Sequence, residues 1–498
     1  MSETAVIVCD VWDSHHSVSA VRRVLELAPR IDQYVTALRA AGATIIHAPS
    51  ECMQSYQGHP ARNRAQQSPQ AAQHPLEIDS WCDQIPSEFP AAYPLDQSDG
   101  GEDDDFEELD RWAQQLTAQG RKPRRPWLRQ ASAIRIDSEQ DFVSDSGPEI
   151  WNILQARGLN NVIVVGVHAN MCVLGRPFGL RRMAAAGKNV VLVRDLTDTM
   201  YDPRDWPFAS HFSGTDLIVS HIERYVCPTI CSSQILPQSE FRFADDHRLE
   251  LMMIIADDEY ETQETLPVFA AKHLSQHFRV NVAYGSDSQR NSIVSLEDIK
   301  SADALLVSVR RRWLPERDLK LIQQFVERGK PMIGIRTASH AFAARSGSPP
   351  EGLAEWPQFD AQAWGGNYTN HHGNSLRAQL QISPESLEHP IVSALGERLR
   401  LQPGSSLYKT GPLAAGAKPL LLGQVTGAPI EPVAWTYVRA DGGRSFYTSL
   451  GHVDDFAQSQ FETLLAAGIH WACGLPVPNL DSVEKQNARY NAGKGRQN

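Results

Sequence analysis

The chain has 498 residues, is 42% hydrophobic and carries a formal net charge of -12 at pH 7. This length exceeds what one ordinary hydrophobic core serves, and it predicts two domains. The excess of acids over dispersed Lys and Arg residues excludes the basic surface that nucleic acids or anionic membranes require, so we expect a small-molecule partner, with no nucleic acid and no membrane.

The first half alternates short apolar strands with helix-like segments. This alternation predicts a three-layer α/β/α domain built on a mostly parallel, doubly wound sheet. We place this domain at residues 1–231. Strands are predicted at residues 5–9, 43–48, 162–167 and 189–193, and a helix is predicted at residues 19–41.

The strand and helix pattern breaks between residues 54 and 126, where Gln, Pro and charged residues prevail. We interpret this segment as a long insertion. Because it follows the carboxyl end of a strand, where ligands bind in open α/β sheets, it could form a lid, and a solvated decoration is the alternative. Its acidic run from Asp99 to Asp110 lacks the ligand spacing of a calcium loop and is typical of a solvated face.

The alternation restarts after a polar segment at residues 232–247, which we interpret as a linker. A second three-layer α/β/α domain with a mostly parallel, doubly wound sheet is predicted over residues 248–474, followed by a polar tail at residues 475–498. Its predicted strands are residues 249–255, 304–309 and 331–335, and its last helix is residues 455–472.

The cysteines and the hydropathy of the chain indicate its compartment. Seven cysteines, an odd number at irregular spacing, do not describe a disulfide framework, so we expect reduced thiols. No apolar run reaches the roughly 18 residues of a membrane span, and the first residues lack a basic stretch and a cleavage site. We therefore expect a cytoplasmic protein, and a homo-oligomer.

A cysteine and an aspartate stand at the ends of two predicted strands. Cys172 follows the strand at residues 162–167, where a helix should begin, and backbone amides at a helix amino terminus lower a thiol pKa and hold an oxyanion. Asp10 ends the first strand, and the carboxyl ends of parallel strands share one edge of a sheet. A base and a nucleophile are therefore predicted to converge, although a free cysteine is otherwise most often a small buried hydrophobe.

Three segments resemble successive signatures of the isochorismatase-like cysteine hydrolases, and the resemblance covers most of residues 1–230. It implies a catalytic aspartate, lysine and cysteine, of which Asp10 and Cys172 are present, and a cis peptide at Val167–His168. The three segments are Val6 to Asp10, Gly166 to Val173 and Asn189 to Asp195.

The lysine of that family has no counterpart in the expected strand, Ser132 to Asp137, where Arg135 is the nearest cation. A guanidinium can stabilise a thiolate or an oxyanion but cannot shuttle protons near neutral pH, so we assign Arg135 an electrostatic role. Zinc-binding members of the family use an aspartate and two histidines after the second strand. Pro49 to Met53 and His59 offer no such set, so we expect no metal and no cofactor.

Further residues are predicted around Cys172 from their place in the chain. Arg176 lies one helical turn beyond it and could meet a substrate carboxylate, and the amides of Met171 and Cys172 would hold the oxyanion. A packed indole and a surface arginine are the structural alternatives for Trp12 and Arg176. The candidates for substrate or oxyanion contact are Val167, His168, Met171, Trp12 and Arg176.

In the second half, the strand at residues 331–335 runs into a sharp turn like the elbow that presents a cysteine in glutamine amidotransferase-like folds. Arg336 occupies that position, so hydrolysis of glutamine is not expected. This elbow, the segment Trp364 to Asn374 and the segment Ser449 to His452 resemble the ThuA-like (trehalose-utilisation) family over about residues 248–474. The resemblance implies a role in carbohydrate metabolism.

Four histidines are the candidate site residues of the second half: His340, His371, His372 and His452. They could bind a metal or contact sugar hydroxyls. Adjacent histidines on a strand point to opposite faces, so His371 and His372 would rarely serve one ion, and satisfied structural histidines are the alternative.

The favoured hypothesis is a cysteine-dependent hydrolase that cleaves an amide-like C–N bond of a small molecule through a thioester on Cys172. Asp10 would be the general base and Arg135 the electrostatic partner. A non-catalytic protein that binds a metabolite or carbohydrate is the first alternative, and the missing lysine and elbow cysteine favour it. Carbohydrate-active chemistry in the second domain, around His340, His371 and His452, is the other.

Overall fold

A computed structural model describes residues 1–286, 288–478 and 480. The chain forms two compact units, with the boundary between His247 and Arg248. Within the part of the chain that the structure describes, no helix is both long enough and apolar enough to cross a membrane.

The first unit is an α/β fold with one six-stranded sheet. Its strands are β1 (Thr4–Cys9), β2 (Thr44–Ala48), β3 (Phe142–Val143), β4 (Asn161–Val167), β5 (Asn189–Asp198) and β6 (Thr229–Ile230). Its helices are α1 (Val18–Ala40), α2 (Pro60–Gln66), α3 (Phe106–Ala118), α4 (Gly147–Ala156), α5 (Leu180–Ala185) and α6 (His211–Tyr225).

The sheet order is β3-β2-β1-β4-β5-β6, and every neighbouring pair is parallel, which confirms the predicted parallel sheet. Strand β1 is buried along its whole length because core residues cover both of its faces. A strand that is buried on both faces has a continuous run of apolar residues, and this is why β1 and β4 could be predicted from the sequence.

Two segments of the first unit differ from expectation. Residues 132–137 form a turn and an extended loop, not a strand, and the edge strand β3 lies further along the chain. Residues 232–247, interpreted as a linker, pack on the first unit: Phe241 and Phe243 contact its core, and Asp195 accepts hydrogen bonds from the amides of Ser232 (2.7 Å) and Phe241 (2.9 Å).

The insertion at residues 54–126 is folded onto the first unit. Its apolar side chains Ile78, Leu95 and Leu116 are buried. Its carboxylates also reach the body of the unit, where Glu88 pairs with Arg181 at 2.7 Å. This packing argues against a solvated decoration.

The second unit is also α/β. Its strands are β7 (Leu249–Ala256), β8 (Phe278–Tyr284), β9 (Ala304–Val309), β10 (Leu314–Pro315), β11 (Met332–Ile335), β12 (Leu353–Ala354), β13 (Asn370–His371), β14 (Gln379–Ile382), β15 (Tyr408–Lys409), β16 (Ala417–Gln424), β17 (Glu431–Val438) and β18 (Arg444–Thr448). Its helices are α7 (Thr262–His273), α8 (Glu316–Glu327), α9 (Pro390–Ala394) and α10 (Ser459–Ala472).

Its main sheet has the order β14-β16-β17-β18-β11-β9-β7-β8. The half from β18 to β8 is parallel, and the pairs between β14 and β18 are antiparallel, so the sheet is mixed. Short turns join β16 to β17 and β17 to β18, and such antiparallel hairpins need no crossover helix, whereas the connection from β14 to β16 is long and contains α9 and β15. Of the predicted polar tail, residue 479 and residues 481–498 lie outside the described residues.

Candidate active site

Asp10, Cys172 and Arg176 come together at the carboxyl edge of the first sheet. Asp10 follows β1, and Cys172 lies in a π-helical turn, Ala169–Val173, that follows the neighbouring strand β4. The Nε atom of Arg176 donates a hydrogen bond to Oδ2 of Asp10 at 2.8 Å, and the Cys172 thiol lies beside the same carboxylate. A carboxylate, a thiol and a cation thus form one buried cluster.

The backbone around this cluster is tightly constrained. Asp10 adopts a left-handed φ of 49°, and its Oδ1 accepts the Ser50 amide at 2.7 Å. Gly166 has a φ of 118°, and a Cβ there would lie 2.0 Å from the carbonyl oxygen of Cys9. Only glycine fits this close approach of the two strands. The next peptide, Val167–His168, is cis, as the resemblance implied.

Burial governs the electrostatics of the site. It raises the pKa of Asp10, while Arg176 and the Ser50 amide act in the opposite direction. Burial also raises the pKa of the Cys172 thiol well above its ordinary value; the charge of Asp10 adds to this effect, and Arg176 opposes it. The thiol is therefore protonated at neutral pH, next to a carboxylate that can accept its proton.

The pKa of the Cys172 thiol is thus raised and not lowered, contrary to expectation, because burial outweighs the opposing charge of Arg176. The long helix that was expected to begin at Cys172 is also absent from this position. The π-helical turn ends at Val173, and α5 begins only at Leu180, beyond Pro177. The amide of Met171 donates to the carbonyl oxygen of His168 at 3.0 Å, so it is not free to hold an oxyanion as predicted.

Arg135 is not part of the cluster, and its predicted role is wrong. Its guanidinium pairs with Asp32 of α1 at 2.8 Å, and its side chain is 69% exposed. The prediction failed because residues 132–137 are not a strand of the sheet. Arg176, which was expected to meet a substrate carboxylate, instead pairs with Asp10 and supplies the cation.

Aromatic rings fill the space beside Asp10. The indole of Trp12 stacks on Trp127 with ring centroids 4.4 Å apart. Burial lowers the pKa of His168 to about 4, and its Nε2 atom is buried without a partner. The cavity that Asp10, Trp12, Val167 and His168 line has a volume of only about 10 Å³. Such a space holds about one water molecule, and the neighbouring Cys172 is itself buried, so the cluster is closed to a substrate.

The insertion covers the turn that carries Cys172. The Cys82 amide donates to the carbonyl oxygen of Gly175 at 2.7 Å, and a side chain at Gly175 would overlap the Trp81 indole at 2.3 Å. The Trp81 ring also lies 5.6 Å from Cζ of Arg176. This part of the insertion therefore lies over the cluster.

Removal of the Trp81 indole should open this cover. We expect Trp81→Ala to increase the rate of Cys172 alkylation by iodoacetamide about tenfold, because a smaller cover costs less free energy to displace. Peptide mass spectrometry measures the labelling of Cys172 over time. Phe89→Ala is the matched control, because Phe89 is an exposed aromatic residue of the same insertion. An equal effect of both variants would contradict a specific cover.

The insertion also contributes to a cluster of acids. Carboxylate oxygens of Asp99, Asp202 and Asp205 lie within 4.8 Å of one another. Burial and the neighbouring Asp99 raise the pKa of Asp205 to about 6. Carboxylates alone are ligands suited to a hard cation, and no histidine belongs to this group.

In the second unit, Arg336 forms the elbow after β11 with a left-handed φ of 45°. Its buried guanidinium donates to Oγ of Ser405 at 2.7 Å and lies between the rings of Tyr260 (4.6 Å) and Tyr408 (4.4 Å). These contacts connect the elbow with the segments that carry Tyr260, Ser405 and Tyr408. The side chain offers no nucleophile, in line with the expectation from the sequence.

The four candidate histidines lie near the rings of Tyr260 and Tyr408 beside the elbow, or on and next to β13 opposite Tyr408, but they contact different groups. His340 stacks on Tyr368 with ring centroids 4.5 Å apart, and the ring of His452 lies 5.8 Å from Tyr260. The Nδ1 atom of His371 bonds to the carbonyl oxygen of His372 at 2.7 Å. Among the described residues, none of the four belongs to a group of three or more convergent metal ligands.

Comparison with known proteins gives different matches for the first and the second half of the chain. Residues 251–472 match the family model described as ThuA, trehalose utilisation. No curated protein matches the chain. The match confirms the resemblance of the second half to the ThuA-like family.

Solved structures similar to the chain include proteins of both kinds. A ThuA-like protein from Bacteroides uniformis is 14% identical, with a TM-score of 0.35, and the match covers 47% of this chain and 95% of that chain. A cysteine hydrolase from Pseudomonas syringae pv. phaseolicola is 17% identical, with a TM-score of 0.26 and coverage of 47% and 91%. An isochorismatase from Pseudomonas putida is 13% identical, with a TM-score of 0.28 and coverage of 47% and 91%.

Proposed function

We propose that the first unit is a cysteine hydrolase that cleaves an amide-like C–N bond of a small molecule through a thioester on Cys172. The observation that carries this proposal is the buried cluster of Asp10, Arg176 and the Cys172 thiol at the carboxyl edge of the sheet. Ligands of open α/β sheets bind at this edge. A thiol, a base and a cation in contact provide the groups that acyl transfer needs.

The reaction proceeds in two steps. The Cys172 sulfur bonds to the acyl carbon while Asp10 takes the thiol proton, and the C–N bond then breaks as Asp10 returns that proton to the leaving nitrogen. Water hydrolyses the thioester, with Asp10 as the base, and releases the acid and the thiol. Arg176 and the Cys172 amide stabilise the oxyanion. The guanidinium keeps its charge throughout, so it acts electrostatically.

Substrate entry requires the cover of the site to move. The cavity of about 10 Å³ beside Asp10 holds no substrate, since small-molecule pockets measure about 300 to 1,000 Å³, and Cys172 itself is buried. The insertion, with Trp81 above Arg176, is the segment whose displacement opens the cluster. We therefore propose that the insertion is the lid.

The role of Arg176 can be tested without a substrate. Its charge opposes the rise in the Cys172 pKa, so Arg176→Gln should raise the pH at which Cys172 alkylation becomes half-maximal by about one unit, equivalent to about tenfold slower labelling at pH 8. Iodoacetamide labelling across pH 6 to 11, read by peptide mass spectrometry, measures this shift. Arg135→Gln is the control and should leave the profile unchanged, because Arg135 pairs with Asp32.

The proposal itself is tested by a screen of small amides for release of ammonia or amine by the full chain. Product formation that requires Cys172 supports the hydrolase. Saturable binding of a metabolite with no product, together with an unreactive Cys172 in every variant of the cover, would favour the non-catalytic binding protein instead. The closed site and the raised pKa of the Cys172 thiol are the two observations that favour a non-catalytic protein.

A further inference from the structure

The second unit contains a cavity of about 540 Å³ beside its elbow. This volume lies within the range of small-molecule sites. Polar, charged and aromatic side chains all line it. Those that the argument uses are Arg311, Arg345, His340, Asp360, Tyr368 and Trp356.

Two arginines of this cavity lack an acidic partner. Their neighbours are paired: Arg310 contacts Glu259 and Arg312 contacts Asp258, both at 2.6 Å. In the ranges 1–286 and 288–478, Arg311 and Arg345 form no ion pair. The half-buried guanidinium of Arg311 hydrogen-bonds to Tyr368 instead. A charge held this way is available to an anion.

The backbone holds Arg311 in place against the elbow. Its φ is 47°, in the left-handed region, and its amide donates to the carbonyl oxygen of His340 at 3.1 Å. The next amide, of Arg312, donates to Ala341 at 2.8 Å. This backbone conformation is costly for any residue except glycine, and the two hydrogen bonds stabilise it at Arg311. The Cα atom of Arg311 is therefore fixed at the wall of the cavity.

The other polar groups suit hydroxyls more than a second charge. Burial and the charges of Arg311 and Arg310 lower the pKa of His340 to about 2, so its ring is neutral. Asp360 accepts the Tyr368 amide at 2.6 Å through Oδ2, and its Oδ1 is buried without a partner. Burial raises the pKa of Asp360 to about 7, so its carboxyl can donate as well as accept a hydrogen bond.

We propose that this cavity binds the phosphate monoester of a small polyhydroxylated compound. The phosphate lies between Arg311 and Arg345, since a dianion neutralises both guanidinium groups and a carboxylate neutralises only one. The hydroxyls bond to Asp360 and His340, and the carbon skeleton packs on the aromatic rings of the lining. The site is separate from Cys172 and does not depend on chemistry there.

Calorimetric titration of the full chain tests this assignment, with glucose 6-phosphate, inorganic phosphate, gluconate and glucose as probes. We expect the sugar phosphate to bind most tightly, and Arg311→Gln and Arg345→Gln each to weaken it about tenfold to a hundredfold. Arg328→Gln, an exposed arginine of the same unit outside this cavity, should leave the affinity unchanged.

Three results would overturn the proposal: glucose or gluconate binding as tightly as glucose 6-phosphate, no binding of either phosphate probe at millimolar concentration, or an equal loss of affinity in the Arg328 control. If Arg311→Gln fails to fold, Arg345→Gln decides the question, because Arg345 is exposed at the cavity and its replacement leaves the backbone contacts intact.

Discussion

The Cys172→Ser variant is expected to hydrolyse any amide substrate at no more than about one-thousandth of the wild-type kcat/KM. A hydroxyl is a much weaker acid than a thiol, and Asp10 would have to deprotonate it. Asp10→Asn should lose about 10²-fold to 10⁴-fold, the usual contribution of a general base. Release of ammonia or amine from a hit of the amide screen measures both losses.

Alkylation separates a catalytic role of Asp10 from a structural one. The charge of Asp10 raises the pKa of the Cys172 thiol, so Asp10→Asn should lower that pKa and label faster at pH 8, even though turnover falls. Cys227, which is buried elsewhere in the same unit, is the internal control. If Cys227 also labels faster in the variant, the unit has loosened and the loss of turnover is structural.

A substitution at Cys227 completes this comparison. Cys227→Ser should leave kcat/KM within about twofold of the wild type, because the thiol lies outside the cluster and the exchange is small. Full turnover by Cys172→Ser would contradict the thioester mechanism outright.

The proximity of Asp10 and Cys172 was predictable because each residue follows a strand that is recognisable in the sequence as an apolar run. Strands β1 and β4 are neighbours in a parallel sheet and are buried on both faces, so their apolar runs and their ends are visible. The partner of Asp10 was not predictable in the same way. Spacing places Arg176 one turn from Cys172, but only the folded positions of two segments 166 residues apart show that it reaches Asp10.

The error over Arg135 has a local cause. From Ile134 to Asp137, apolar and polar side chains alternate as they would in a strand, yet β3 forms the edge of the sheet and residues 132–137 remain a loop. Pattern alone cannot decide which of two short segments pairs with β2, because strand formation depends on how each segment packs against its neighbours in the fold.

In the second unit, too, some strands were predicted from the sequence and others were not. Strands β7, β9 and β11 were predicted within a residue or two, whereas β14, β16, β17 and β18 were missed. These four strands interrupt their apolar side chains with polar or charged residues, so none displays a long apolar run, although β18 is largely buried.

The three arginines after β9, at positions 310 to 312, are a visible signal at a strand end, where ligands bind. Sequence does not show that acids neutralise the first and third and leave the second for the cavity.

Glu88→Gln is expected to destabilise the first unit by about 3 to 5 kcal/mol, because it leaves a buried arginine without its counter-charge. Glu88 is 1% exposed; it pairs with Arg181 at 2.7 Å and bonds to His221 at 2.9 Å. Urea unfolding of the full chain, read by pulsed hydrogen exchange in peptides of the first unit, measures the free energy of unfolding. Glu107→Gln, an exposed acid of the same insertion, should change it by less than about 0.5 kcal/mol.

The same pair predicts the pH dependence of stability. Burial alone would raise the pKa of Glu88, but hydrogen bonds from His221 and Arg181 lower it to about 2. Its pKa in the unfolded chain is about 4.3, so ionised Glu88 contributes about 3 kcal/mol above that pH, and this contribution is lost as the pH falls towards 2. The difference between wild type and Glu88→Gln should therefore shrink by about half between pH 6 and pH 3.

Because Glu88 belongs to the insertion and Arg181 to α5, this ion pair also connects stability with access to Cys172. If the insertion is the lid, Glu88→Gln should speed alkylation of Cys172 at pH values where the unit remains folded, and Glu107→Gln should not. Cys227 again reports on the body of the unit. Faster labelling of Cys172 with unchanged labelling of Cys227 means that the insertion opens by itself, whereas parallel acceleration of both means that Glu88 stabilises the whole unit and the lid opens by another route.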